Sequence, residues 1–325
     1  MTSPGSPPRV QPIVAGLAAV GRTWERFWFA PADSRPLALV RIGAALLALA
    51  AWWSYAGDLQ TWFGPDGLLP GDVVQAWRAD WGFSLFDLAS TRAAVTAVFI
   101  VTGSVFALLL VGAATPIVAP SSALFFASLL HRGPMLAGPA DDCLAVLLWC
   151  LAVGPAGRHF SVDRWLADRS GAPPPGPEPR AGICRGLLQV HAAAITAAVA
   201  IAQLKEPAWW DGTAAWYAVA AGDGLRGRVA GLFADSEYLT NLVTHAITFL
   251  AIVSAGGIWF GPTQRLVARA AVAAWPLVGW LVGEPLWGLT LALFFLPLAC
   301  DGGPTAVEPE DDDHERRSTR RRATP

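Results

Sequence analysis

Apolar residues in this chain do not alternate with polar ones; they run in blocks separated by short polar or arginine-rich stretches. A helix that crosses a bilayer needs about 20 largely apolar residues, and fewer where protein covers it. Blocks near Leu37 to Tyr55, Ala93 to Val111, Pro116 to Leu130, Cys143 to Val153, Gly186 to Leu204, Leu242 to Trp259, Leu266 to Val282 and Pro285 to Ala299 therefore predict about eight spans. The fourth and eighth are short, and Gly283 and Glu284 leave room only for a tight hairpin between the last two. The expected fold is an all-α, polytopic transmembrane helix bundle. Residues 1–36 form its N-terminal segment, 37–300 the transmembrane domain, and 301–325 a disordered tail. Ile13 to Val20 is too short for a convincing cleavable leader. With Arg22, Trp24, Arg26, Phe27, Trp28 and Phe29 behind it, the segment predicts a helix lying on the membrane surface.

Composition agrees with a bilayer: 54% of residues are hydrophobic against 15% charged, 16 are tryptophan, and the mean hydropathy is +0.43. That is too apolar for a water-soluble domain. The net charge of -2 conceals segregation. Arg9, Arg22, Arg26 and Arg35 precede the first span, Arg158, Arg164, Arg169, Arg180 and Arg185 fill the loop after the fourth, and Arg265 follows the sixth. Arg316 to Arg322 close the chain. Short arginine-rich loops stay cytoplasmic, which predicts both termini inside and the loops Asp58–Asp87 and Lys205–Glu237 outside. The expected location is the bacterial inner membrane. Trp52, Trp53, Trp62, Trp209, Trp210 and Trp216 then fall at outer span ends, as an interfacial belt. No basic groove interleaved with aromatics points to nucleic acid, no histidine pair has metal-ligand spacing, and Cys143, Cys150, Cys184 and Cys300 read as buried apolar residues.

Arginine serves wherever this chain needs a cation except once. The single lysine, Lys205, ends the fifth apolar block just before Pro207-Ala-Trp-Trp-Asp-Gly-Thr213. A buried amine sheds its proton far more readily than a guanidinium, which makes Lys205 the first candidate for chemistry. Asp141, His191 and His245 are the other candidate catalytic groups. Asp141 also suits helix capping, His191 shares a stripe of small residues with Ala198 and Lys205, and His245 lies among Thr240 and Thr244. Gln189, Trp209, Trp210 and Asp211 are candidates for holding a cofactor, with an inter-helix hydrogen bond as the alternative for Gln189. Arg41 either anchors to headgroups or pairs with a partner such as Asp163.

Four segments in order resemble one family: Phe29-Ala-Pro-Ala-Asp-Ser-Arg-Pro-Leu-Ala-Leu-Val-Arg41, Trp62-Phe-Gly-Pro-Asp-Gly67, Gly154-Pro-Ala-Gly-Arg-His-Phe-Ser-Val-Asp163, and Gln189 to Lys205 joined to Trp209-Trp-Asp-Gly-Thr-Ala214. Together they look like the HTTM domain, the membrane portion of vitamin K-dependent gamma-carboxylase and bacterial relatives, over roughly residues 25 to 300. The resemblance implies reduced vitamin K or another quinol as cofactor, no metal, and a lysine base that deprotonates the quinol. Lys205 matches that lysine by type, while Gln203 holds the position two residues upstream where many relatives place it. The resemblance also implies the lipid bilayer, a quinol or lipidic substrate and a secreted peptide or protein as partners. Two roles stay open: a carboxylase- or epoxidase-like enzyme, or a non-catalytic membrane scaffold or maturation factor for a secreted peptide.

Overall fold

The computed structural model describes residues 11–78, 82–220 and 222–300, so the tail expected to be disordered lies outside the described residues. Among these residues the chain is all-α. Its helices are α1 (Gln11–Phe29), α2 (Arg35–Ser54), α3 (Leu59–Phe63), α4 (Gly71–Trp77), α5 (Arg92–Val111), α6 (Thr115–Arg132), α7 (Pro139–Val153) and α8 (Val162–Arg169). They continue with α9 (Pro179–Lys205), α10 (Pro207–Trp210), α11 (Ala214–Ala220), α12 (Leu225–Ala234), α13 (Glu237–Gly257), α14 (Gly261–Val282) and α15 (Pro285–Cys300). A 3₁₀ turn covers Leu85–Leu88, and one isolated antiparallel bridge joins Ala32 to Glu178.

Each predicted block falls on one helix, and five of these helices, α2, α5, α9, α13 and α14, are long and apolar enough to cross a membrane. Four starts, those of α7, α9, α13 and α14, lie further upstream than apolar content indicates. Helix α7 begins at Pro139 and α9 at Pro179, each with proline in its first turn, where the ring's fixed φ suits a helix and its missing N–H costs nothing.

The bundle is built around α15. This helix is apolar on all sides, as a helix enclosed by protein must be, and it packs against α14, α2, α9 and α7. Leu291, Phe294, Phe295 and Leu298 are completely buried, which makes its modest length of 16 residues workable. The α14–α15 hairpin turns on Gly283, at φ +87°, and closes through two glycines. A Cβ placed on Gly279 would stand 2.7 Å from the Cα of Gly288. Small residues at such a crossing let backbones meet where lipid gives no hydrophobic drive to associate.

Contacts between loops gather the arginine-rich segments at one end of the bundle. Arg158 forms an ion pair with Glu178 at 3.1 Å, Glu178 bridges to Ala32, and Arg185 Nη2 donates to Gln264 Oε1 at 3.4 Å. The Ala172–Arg180 stretch reads as a flexible connector by its prolines. It is instead pinned, because Arg164 donates to the carbonyls of Ala172 and Pro173 and the Ala32 bridge holds its far end. Three cysteines are buried as expected, but Cys300 is exposed at the end of α15.

Replacing Gly288 with leucine should separate α14 from α15 at a cost of about 1–3 kcal/mol, the usual range for overpacking. Thermal melting of the detergent-purified protein measures this, and Gly256→Ala, whose Cβ would meet nothing within 4 Å, should not lower the melting temperature, since alanine suits a helix better than glycine.

Candidate functional site

Helix α9 carries most of the predicted chemistry and spreads it along its length. Lys205, its last residue, is exposed, where the sequence leads one to expect a poorly hydrated niche. No hydrogen bond or ion pair engages it among the described residues. An ammonium at a helix C-terminus is favoured by the carbonyl dipoles, which accounts for its place without chemistry. His191 lies roughly 21 Å away along the axis at about 1.5 Å per residue. It is half-buried, with Nδ1 2.8 Å from the Leu187 carbonyl and 3.8 Å from Cys150 Sγ. Gln189 is buried and donates from Nε2 to the Ile258 carbonyl at 2.9 Å, tying α9 to the end of α13. Gln189 therefore takes the alternative foreseen for it, an inter-helix hydrogen bond.

The loop after α9 is shaped by its backbone. Trp209 packs half-buried against the core and Trp210 is exposed, its indole N–H donating to the Leu204 carbonyl at 2.8 Å. Asp211 is exposed. Gly212 adopts φ +72°, and a side chain there would collide with Asn241. Thr244 holds the loop down: its hydroxyl donates towards the Gly212 and Thr240 carbonyls, at 2.9 and 2.8 Å, and accepts from the Ala215 amide at 3.0 Å. His245, the next residue, is exposed, so the buried polar position on this turn of α13 belongs to threonine.

Asp141 caps α7. Its Oδ2 accepts from the Gly138 amide at 2.9 Å, and the side chain is only half-buried. Among the tryptophans, Trp53 and Trp210 are exposed as an interfacial belt requires. Trp52 instead turns inward, stacked 4.7 Å from Phe99 and donating to the Phe99 carbonyl at 2.9 Å, in space left by Gly103.

The tightest polar cluster lies at the opposite end from Lys205. Arg41 is completely buried and donates from Nη2 to the Phe160 carbonyl at 2.6 Å. Phe160 has φ +49°, a left-handed conformation that aims this carbonyl at the guanidinium. Asp163, three residues on, accepts the Ala114 and Thr115 amides at 2.7 Å each, capping α6. Ser161 caps α8 through the Arg164 amide at 2.9 Å. Gly112 touches Arg41 so closely that a Cβ would overlap Nη1. The pairing foreseen between Arg41 and Asp163 thus takes an indirect form, through the backbone that both residues hold.

A second clasp, absent from the candidates, closes the other end. Arg132 is buried and donates to the carbonyls of Phe63 and Leu69, at 3.1 and 3.0 Å, bracketing the Trp62-Phe-Gly-Pro-Asp-Gly67 segment. Its only sequence signal is an arginine at the end of an apolar block.

No cluster of three or more histidine, cysteine or acidic side chains could hold a metal among the described residues. The chain matches no family model, no curated protein and no solved structure.

Asp163→Ala should destabilise the protein by about 1 kcal/mol, the usual cost of a lost helix cap. Gly112→Ala should cost more, since it combines a left-handed residue with a collision. Lys205→Met should fall within about 0.5 kcal/mol of wild type, as exposed substitutions do. Denaturation of the three variants in detergent gives the ranking.

Proposed function

We propose that this chain is a multi-pass membrane protein of HTTM-like organisation that serves as a non-catalytic scaffold or maturation factor for a secreted peptide. The observation carrying this reading is the exposure of Lys205. A lysine acting as a base near neutral pH needs burial to weaken its hold on the proton, and an exposed side chain has none. The other groups expected to act with it are spent elsewhere: Asp141 on a helix cap, Gln189 on a carbonyl, His191 about four turns away. Next to Lys205 in the chain stand exposed Glu206, Trp210 and Asp211, and α11 carries the further exposed aromatics Trp216 and Tyr217. This mixed aromatic and charged rim suits contact with a partner at a membrane surface.

The HTTM resemblance rests on the four quoted segments. All four contribute to three tight features just described: the Arg41–Phe160–Asp163 clasp, the turn bracketed by Arg132, and the Gly212 loop held by Thr244. Eight helices cross the bilayer in this proposal, α2, α5, α6, α7, α9, α13, α14 and α15. The end that gathers Arg158, Arg164, Arg180 and Arg185 faces the cytoplasm, following the positive-inside rule. Helix α1 lies along that face, its Trp28 resting on Gly186 of α9.

Cysteine substitutions of exposed Gly57 and Gly171 test the orientation, in a background with Cys300 changed to serine. A membrane-impermeant maleimide should label position 57 in intact cells and position 171 only after lysis. The reverse pattern overturns the topology. For the functional reading, quinol oxidation and epoxidation assayed in membranes should be indistinguishable between wild type and Lys205→Arg. Turnover that depends on Lys205 would restore the enzymatic alternative.

A further inference from the structure

A cleft of about 390 Å³ opens at the arginine-rich end, between the start of α6, the end of α7, α8 and the pinned proline-rich stretch. Its floor is apolar, with the buried Ala156 and the half-buried Ala152 and Ala167, and exposed Arg158 and Arg180 stand at its rim, with Arg164 half-buried in its wall. The walls are fixed. Arg164 is committed to Asp168 and to the carbonyls of Ala172 and Pro173, and Arg158 to Glu178. Arg180 is exposed and spends one nitrogen, Nη2, on the Val153 carbonyl at 3.1 Å. Its remaining N–H groups are open to a ligand. Asp163 also lines the cleft, but both of its oxygens already accept backbone amides.

Two further observations point to an anion with an apolar part. Thr115 lines the cleft, is 3% exposed, and its hydroxyl has no hydrogen-bond partner among the described residues. Beside the cleft, burial pushes the His159 imidazole down, and Arg35, Arg164 and Arg158 act in the same direction against Asp33. Glu178 and Asp168 neutralise Arg158 and Arg164, so Arg180 is the cleft's one arginine without a carboxylate partner among the described residues.

We propose that this cleft binds the phosphate-bearing headgroup of an anionic phospholipid. The phosphate meets the unspent N–H groups of Arg180, a non-bridging oxygen or glycerol oxygen takes the Thr115 hydroxyl, and the glycerol end rests on Ala152, Ala156 and Ala167. Basic pockets between helices on a cytoplasmic face suit such headgroups. The assignment of leaflet rests on the orientation given above; the site itself does not.

Native mass spectrometry of the full chain in detergent tests this, with phosphatidylglycerol, phosphatidylcholine of the same acyl chains, and inorganic phosphate as probes. Phosphatidylglycerol should be retained in preference to phosphatidylcholine. Arg180→Gln should weaken that retention roughly fivefold. Ala167→Leu should also weaken it at unchanged charge, because it fills the floor, which mere attraction to a basic surface would not feel. Arg92→Gln, whose guanidinium pairs with Asp66 at the other end, should retain the lipid as wild type does. Lipid retention unchanged by Arg180→Gln and Ala167→Leu overturns the site, and saturable phosphate binding without lipid preference overturns the lipid as its source. Detergent removes sidedness from the assay, so a reversed orientation with intact lipid preference sinks the topology alone.

Discussion

A bilayer offers the backbone no water, so every carbonyl and amide that a helix leaves unpaired must find its partner within the chain. In this protein side chains supply many of those partners, and arginine supplies several that join one helix or loop to another. Arg180 donates to Val153 at the end of α7, Arg132 to Phe63 at the end of α3, Arg226 to Ala218 in the last turn of α11, and Arg269 to Ala299 in that of α15. Arg41 does the same for the left-handed Phe160. The chain's preference for arginine over lysine has its physical reason here. A guanidinium keeps its charge when buried, and its planar fork of five N–H groups can reach two carbonyls at once, as Arg132 does. The carboxylates serve the complementary need: Asp163 and Asp141 accept amides at helix N-termini.

The use of polar groups for backbone satisfaction also explains why the residues with the most chemical character do not assemble. A reactive site needs donors and acceptors left over. Gln189, Thr244, Asp163 and Asp141 each have at least one bond to the main chain, and the exposed His245 and Lys205 have no enclosing wall. The cleft at the arginine-rich end differs in that a hydroxyl and part of a guanidinium remain unspent beside an apolar floor.

What the sequence makes legible follows from what is local. Apolar blocks, the Gly283 turn and the Asp141 cap are written within a few residues of one another, and each stands where the pattern predicts. The Arg41–Phe160 bond spans 119 positions, and nothing in either neighbourhood announces it beyond their shared membership of quoted motifs. Trp52 and Trp53 show the limit clearly. Adjacent on α2, both read as interfacial indoles, yet Gly103 on α5 opens a slot for one of them while its neighbour, 100° round the helix, stays outside. The proline-rich stretch misleads in the same way, because its order comes from Arg164 and Ala32 rather than from its own residues.

Helical phase decides the fate of Lys205 as well. Gln203 and Lys205 are two residues apart, a rotation of roughly 200°, so they face nearly opposite sides of α9. Gln203 is the one turned inward, 7% exposed, with its Oε1 buried and unpaired. That is the setting expected of a lysine base, occupied by a side chain that cannot take up a proton near neutral pH. The lysine two positions on falls on the outward face, at the final residue of the helix, beside Glu206 and the exposed Trp210. Exchange of type between these two positions separates a buried amine from a surface one without altering length, composition or hydropathy, and only the inward position would enclose the amine.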